Sequence, residues 1–246
     1  MARFPLSVTL GVIFTLTIFM ASPRAETLVL NNTSSAPLTN DTKTGFLDLI
    51  AGEAFRRNGI EISLIKLQAE RGLKNANAGI DDGELLRFEG MEKLYPNLVP
   101  VPEKLMDMHF VAFSIDPSIK IDDWQSLKNY SVGYIKGWKI MEMNIPKEAQ
   151  VIPAMDANQL FTMLRRGRVE VVLFERLMGL EIIRRQNIQD ARDLSPSLAV
   201  KSMFIYLNKK HETLAPKVAA SLAALKSEGV YEREYKKIEM VLGQPK

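Results

Sequence analysis

The sequence predicts an α/β fold arranged as two lobes joined by strands, and three observations carry that expectation. Strand-like and helix-like runs alternate for most of the chain, which favours a mostly parallel sheet with helices on both faces. The alternation starts afresh near Asp122, with no Pro/Gly/Ser-rich linker between the halves. The 246 residues, 46% apolar and 25% charged, are an ordinary globular mixture long enough for a sizeable core.

The elements follow in order. "TLVLN" (Thr27 to Asn31) reads as a buried strand and leads into the polar loop "NTSSAPLTNDTKT". "GFLDLIAGEAFRRNG" sets Phe46, Leu49, Ile50, Ala54 and Phe55 on one helical face and stops at Gly59. "IEISLIK" is a strand and "AERGLKNANAG" a helix closed by Gly79; the resemblance described below implies that Ile80 then enters a strand. "HFVAFS" and "YSVGYI" are further strands. "MDANQLFTMLRRG" is a helix with Asp156 as N-cap and Gly167 just past its end. "VEVVLF" is a strand, "ERLMGLEIIRRQN" the helix after it, and "VKSMFIYLNK" the last strand. Two helices finish the chain, with Leu214, Val218, Leu222 and Leu225 lining the first and Gly229 between them.

Residues 1–25 have the layout of a secretory signal peptide: Arg3, an apolar run from Leu6 to Ala21, then small Ala25 at a cleavage position. An apolar run this short is marginal for spanning a bilayer, which takes about 20 residues. The expectation is therefore export to the periplasm and a free, soluble mature chain. Residues 1–25 contain two arginines and no acid, so their removal takes the formal charge from +3 to +1. That near-neutral balance gives no electrostatic argument for nucleic acid, which needs a basic face. The absence of cysteine excludes a lipid anchor on an N-terminal cysteine and leaves the core to stabilise the fold.

Catalytic and metal signatures are missing. His109 and His211 are the two histidines, far apart, and no Cys/His cluster exists. The acids of "NAGIDDGELLRFEG" (Asp81, Asp82, Glu84) lack the ligand spacing of a calcium loop. There is no G-x-S-x-G, P-loop or G-x-G-x-x-G. No cofactor and no metal are expected.

Five segments, in order, resemble the bacterial extracellular solute-binding proteins of family 3. "TKTGFLDLIAGEAFRRNG" looks like the family's G-F-x-x-D-L helix, and "LKNANAGIDDGELLR" like its L-x-x-G-x-x-D turn with an arginine beyond. "DWQSLKNYSVGYIKG" resembles D-L-x-G-x-x-V-G-V-x-x-G, and "LFTMLRRGRVEVVLFE" resembles A-L-x-x-G-R-V-D-A-V-V-x-D. "MFIYLNKKHETLAPKVAASLAALKSEGVYEREYKKI" is similar to the final strand and helices, including L-K-x-x-G-x-Y. The resemblance implies a two-lobe periplasmic-binding-protein (type II) fold with a ligand cleft between the lobes. The first lobe would take residues 26–112, the second 113–202, and the chain would return to the first over 203–246. It also implies a monomer that captures a small anionic or zwitterionic, amino-acid-like solute by hinge closure for an inner-membrane ABC permease.

The site residues follow from the same resemblance. Arg87 would grip a ligand carboxylate with its planar fork; alternatively it pairs with Asp81, Asp82 or Glu84. Glu175 ends a strand and would accept from the ligand's amine, or it occupies the first turn of its helix. Glu170 would cap the turn after Gly167. Trp138 would be an apolar wall of the site or a packing residue. Gly137, Lys136, Ser34 and Ser35 complete the candidate contacts. Two departures put a standard α-amino acid in doubt: "GELLR" and "KGWK" lack the family's hydroxyls, and Leu38 stands where an aromatic commonly stacks. Two alternatives stay open: a periplasmic enzyme on the same scaffold, similar to the cyclohexadienyl dehydratases, and a ligand-sensing module for a signalling partner.

Overall fold

The structure, a computed structural model, describes residues 26–243; the export segment read over residues 1–25 lies outside the described residues. The strands are β1 (Glu26–Asn31), β2 (Ile60–Ile65), β3 (Gly83–Phe88), β4 (Leu98–Pro100), β5 (Met106–Ser114), β6 (Ser131–Ile135), β7 (Gln150–Ala154), β8 (Val171–Glu175) and β9 (Arg192–Asn208). The helices are α1 (Phe46–Arg56), α2 (Ala69–Ala78), α3 (Lys139–Asn144), α4 (Ala157–Arg165), α5 (Arg176–Gln186), α6 (Ala215–Ser227) and α7 (Val230–Gly243).

All nine strands belong to one sheet of order β2-β1-β3-β9-β5-β8-β6-β7, with β4 beside β9. At one end β1 pairs in parallel with β2 and β3; at the other, β6 pairs in parallel with β7 and β8. These are the sheets of the two lobes. The middle departs from the mostly parallel expectation, because β9 runs antiparallel to β3, β4 and β5, and β5 antiparallel to β8. Here the long strands β5 and β9 lie side by side and run in opposite directions between the two parallel ends of the sheet. The 17-residue β9 pairs with β5 from Arg192 to Met203 and with β3 from Met203 to Leu207, so it serves both lobes.

Local chemistry explains the elements. In α1 the buried residues Phe46, Leu47, Ile50, Ala51, Ala54 and Phe55 recur at helical spacing, and Asp48 Oδ2 accepts from Gly45 N at 3.0 Å. The α2 helix ends at Gly79 in the left-handed region (φ 76°), where a side chain would be strained. Asp156 accepts from Gln159 N at 2.8 Å and caps α4, and Gly167 (φ 64°) follows its end. On the outer face of the first lobe α1, α6 and α7 pack together. Phe46 meets Tyr231 and Tyr235 edge-to-face at 5.0 and 5.5 Å. The strand read from Ile80 begins at Gly83 instead, because Ile80 and Asp82 form a turn tied to β1. There Asp82 Oδ2 accepts from Val29 N, and Asp82 Oδ1 meets Lys210 Nζ and His211 Nε2, each at 2.8 Å. Glu170 differs from expectation as well: it accepts from Ser131 N and Oγ at the start of β6 rather than capping the Gly167 turn.

Candidate functional site

The candidate residues lie at the carboxyl ends of β1, β6 and β8 and in the loops that follow. The first-lobe wall starts at Asn31 and Asn32, the polar end of an otherwise apolar strand. Asn32 Oδ1 accepts from Ser34 N and Oγ at 2.9 and 2.7 Å, and its Nδ2 donates to Thr39 Oγ1 at 2.9 Å. The network is buried, so the Ser34 hydroxyl is already engaged and acts by shaping the loop. Ser35 N reaches across to the other lobe and donates to Met178 Sδ at 3.4 Å.

Below this loop lies a buried ionic cluster. Arg87 Nη2 meets Glu84 Oε2 at 2.6 Å, with the two side chains 8% and 0% exposed. Both Glu84 oxygens accept from Asn31 Nδ2, at 3.0 and 3.1 Å, and Asn31 Oδ1 accepts from Leu67 N at 2.9 Å. In a regular strand, residues three apart point to opposite faces. The register of β3 against β9 shifts between Glu84 and Arg87, and the extra residue of this bulge turns both side chains to one side. Gly72 of α2 lies over the cluster, where a Cβ would fall 1.7 Å from Asn31 Nδ2. Burial pushes the Glu84 carboxyl up to about 7, against the opposing pull of Arg87 and Asn31. Burial likewise pulls the Arg87 guanidinium below its usual value, opposed by Glu84.

Arg87 Nη1 donates to Thr33 Oγ1 at 3.2 Å and Nη2 to the Ala69 carbonyl at 3.4 Å, whereas Nε is buried with no partner among the described residues. Tyr95, within electrostatic reach of Arg87 and Glu84, donates to Glu70 Oε2 at 3.2 Å at the start of α2.

The second-lobe wall is aromatic. Trp138 stacks on Phe174 at 4.8 Å and meets Phe110 edge-on at 6.1 Å. Gly137 has φ 90°, and its N–H donates to Glu142 Oε1 at 2.8 Å. Lys136 and Lys139 are exposed at the rim; Lys139 pairs with Glu142 at 2.7 Å and also senses Glu70 of the first lobe. Glu175 is 1% exposed and caps α5, accepting from Met178 N at 2.9 Å. Burial pushes its carboxyl up to about 7 as well. Of its two sequence readings, the structure gives Glu175 the helix-terminus position.

Ser35 meets Met178 of α5, Trp138 packs on Phe110 and Phe174, and Arg87 joins Glu84, Thr33 and Ala69; Lys136 is exposed. Sequence reasoning missed Asn31, Tyr95 and Met178, and it left Glu84 as one of three acids that could pair with Arg87. The Asn31–Asn32 pair at a strand's carboxyl end was a usable signal, since open α/β sheets bind ligands there. Two surface grooves lie elsewhere. One of about 520 Å³ runs between α1 and α7, and one of about 290 Å³ lies beside Lys210 and Lys217.

The fold is that of the two-lobe periplasmic binding proteins. The ligand-binding core of GluR0 in complex with L-glutamate superposes with TM-score 0.76 at 12% identity, over 87% of this chain and 98% of that one. A mutant of ArgBP from T. maritima gives 0.71 at 17% identity, over 87% and 95%. A histidine kinase sensor domain with similarity to periplasmic binding proteins gives 0.71 at 15%, over 87% and 97%. A Shewanella oneidensis protein described as uncharacterized is 29% identical over 198 residues, which is 76% of this chain and 73% of that one. No protein-family model matches the chain.

Proposed function

We propose that the protein is a solute-binding protein that takes a small anionic or zwitterionic solute into the cleft between its lobes and closes on it. Its lobes comprise residues 26–112 with 203–246, and residues 113–202. The observation that carries this reading is the junction itself: the Asn32–Thr39 loop and Arg87 on one side, Trp138 and Met178 on the other, joined by the β5–β9 ribbon. Closure of this kind turns on a few hinge residues that absorb large φ/ψ changes. We take an inner-membrane ABC permease as the partner, in line with the export expected from residues 1–25. Likeness to a substrate-binding protein of an amino acid ABC transporter (TM-score 0.68, 16% identity) is in keeping with this. Likeness to a kinase sensor domain favours a second reading, in which closure is reported to a signalling partner.

The test is a thermal-shift screen of metabolites followed by small-angle scattering. A ligand at 100 times its Kd adds about 2.7 kcal/mol of stability, and the radius of gyration should fall at saturation. Stabilisation with an unchanged scattering curve would reject closure.

A further inference from the structure

Resting on the closure proposed above, we infer that helix α7 is a third tie between the lobes, alongside β5 and β9, and that Tyr235 is the residue through which it holds their resting angle. Tyr231, Tyr235, Ile238 and Leu242 recur at helical spacing and pack on the core, while Lys236, Lys237 and Glu239 between them are exposed. The helix packs against elements of both lobes: α1 and α6 of the first, and α5 of the second. On the first-lobe side the attachment is firm. α7 continues from α6 through Gly229, and Phe46 of α1 meets the rings of Tyr231 and Tyr235 edge-to-face at 5.0 and 5.5 Å. On the second-lobe side Tyr235 lies within electrostatic reach of Glu175 and Arg176, where α5 begins.

The first turn of α5 therefore meets the first lobe twice. Met178 Sδ accepts from Ser35 N at 3.4 Å, and Glu175 and Arg176 lie near Tyr235. The turn is itself well fixed, because Glu175 accepts from Met178 N at 2.9 Å and Arg176 pairs with Asp193 of β9 at 2.6 Å. A rotation about β5 and β9 that parts Ser35 from Met178 must then also slide α5 past Tyr235. Interdigitated side chains resist such sliding, so packed helices shift between discrete seats. α7 thus favours the arrangement in which Ser35 and Met178 touch before any solute enters, and a larger closed fraction raises the apparent affinity in proportion.

The experiment is a spin-label distance measurement on the purified chain without solute. The chain has no cysteine, so Lys66→Cys and Met155→Cys take one label each; both are exposed, just past the carboxyl ends of β2 and β7, at opposite ends of the sheet. Tyr235→Ala should broaden the distance distribution and shift it to longer values. Tyr231→Ala, which removes the other ring on Phe46, should leave it unchanged. Tyr235→Leu keeps an apolar side chain against Phe46 but gives up the phenol near Arg176; it should shift the distribution too, and it serves if the alanine variant does not fold. An unshifted distribution in a folded Tyr235 variant overturns the inference, and so does an equal shift in Tyr231→Ala. Either result leaves the binding-protein reading intact, because no solute is present. That reading falls separately, if no metabolite in the thermal-shift screen stabilises the chain.

Discussion

Replacing Gly72 by alanine should destabilise the protein, although alanine is the better helix former. In an exposed helix interior the exchange gains roughly 1 kcal/mol. At Gly72 the new Cβ would fall 1.7 Å from Asn31 Nδ2 and 2.7 Å from Glu84 Oε1. Asn31 cannot step aside freely, because it is buried between Glu84 and Leu67 N. Moving it strips donors from a buried carboxylate and leaves an amide unpaired, about 1–3 kcal/mol for each group. Shifting α2 outward instead opens the packing at similar cost. The net loss should be about 2–4 kcal/mol, or roughly 5–15 °C in Tm for a chain of this size. Gly52 is the control. It sits inside α1 with nothing within 4 Å of a built Cβ, so Gly52→Ala should raise stability by about 0.5–1 kcal/mol. The assay is thermal and urea unfolding of the two variants beside the parent. If Gly72→Ala stabilises as much as Gly52→Ala, the tight seat of α2 on the Asn31–Glu84 pair is refuted.

Three more outcomes are expected. Glu175 has its carboxyl raised to about 7 from an ordinary 4.5, so the folded chain keeps a proton that the unfolded chain loses in between. Its contribution is therefore present at pH 4.5 and is lost as pH rises to about 7, on the order of 3 kcal/mol at most. Glu175→Gln keeps an oxygen to cap α5 and removes this loss. The Tm of the variant minus that of the parent should grow between pH 5 and 8, and a constant difference would contradict the assignment. Arg87→Ala should weaken solute binding about 30-fold or more and also strand the buried Glu84, costing about 3–5 kcal/mol of stability. Arg87→Lys, measured by calorimetry and melting, should recover more of the stability than of the affinity; full recovery of both would argue against a fork-dependent contact. Asp156→Ala should cost about 1 kcal/mol through the lost α4 cap, seen in melting, with solute affinity unchanged.

Much of the fold was legible because its elements announce themselves locally. Gly79, Asp156 and Gly167 punctuate helices whose apolar residues keep the 3.6 period, and the residues they named occupy those positions in the structure. The strands that escaped reading have a physical excuse. β7 is an edge strand whose first four residues are exposed and include Pro153, so no alternation marks it. The first half of β9 also carries a proline and exposed residues. At the site, the sequence named Arg87 but left its partner open among three acids. The choice of Glu84 depends on a bulge, and a period of two cannot reveal a bulge. Glu175 illustrates the converse, since a carboxylate at a strand end reads equally as a ligand contact and as a cap. The structure shows the cap.

The path of β9 also bears on how the chain comes into being. β3 has β1 on one side early, but its other neighbour forms only when residues 203–207 have been made, in the final fifth of the sequence, whereas β5, β6, β7 and β8 find one another within a contiguous stretch. During synthesis the second lobe can therefore organise early, while β1 to β3 wait with an open edge. A waiting edge is a hazard if the chain stays where it is made. It is an advantage if the chain must be threaded elsewhere, because the portion emerging first is the portion least able to fold too soon.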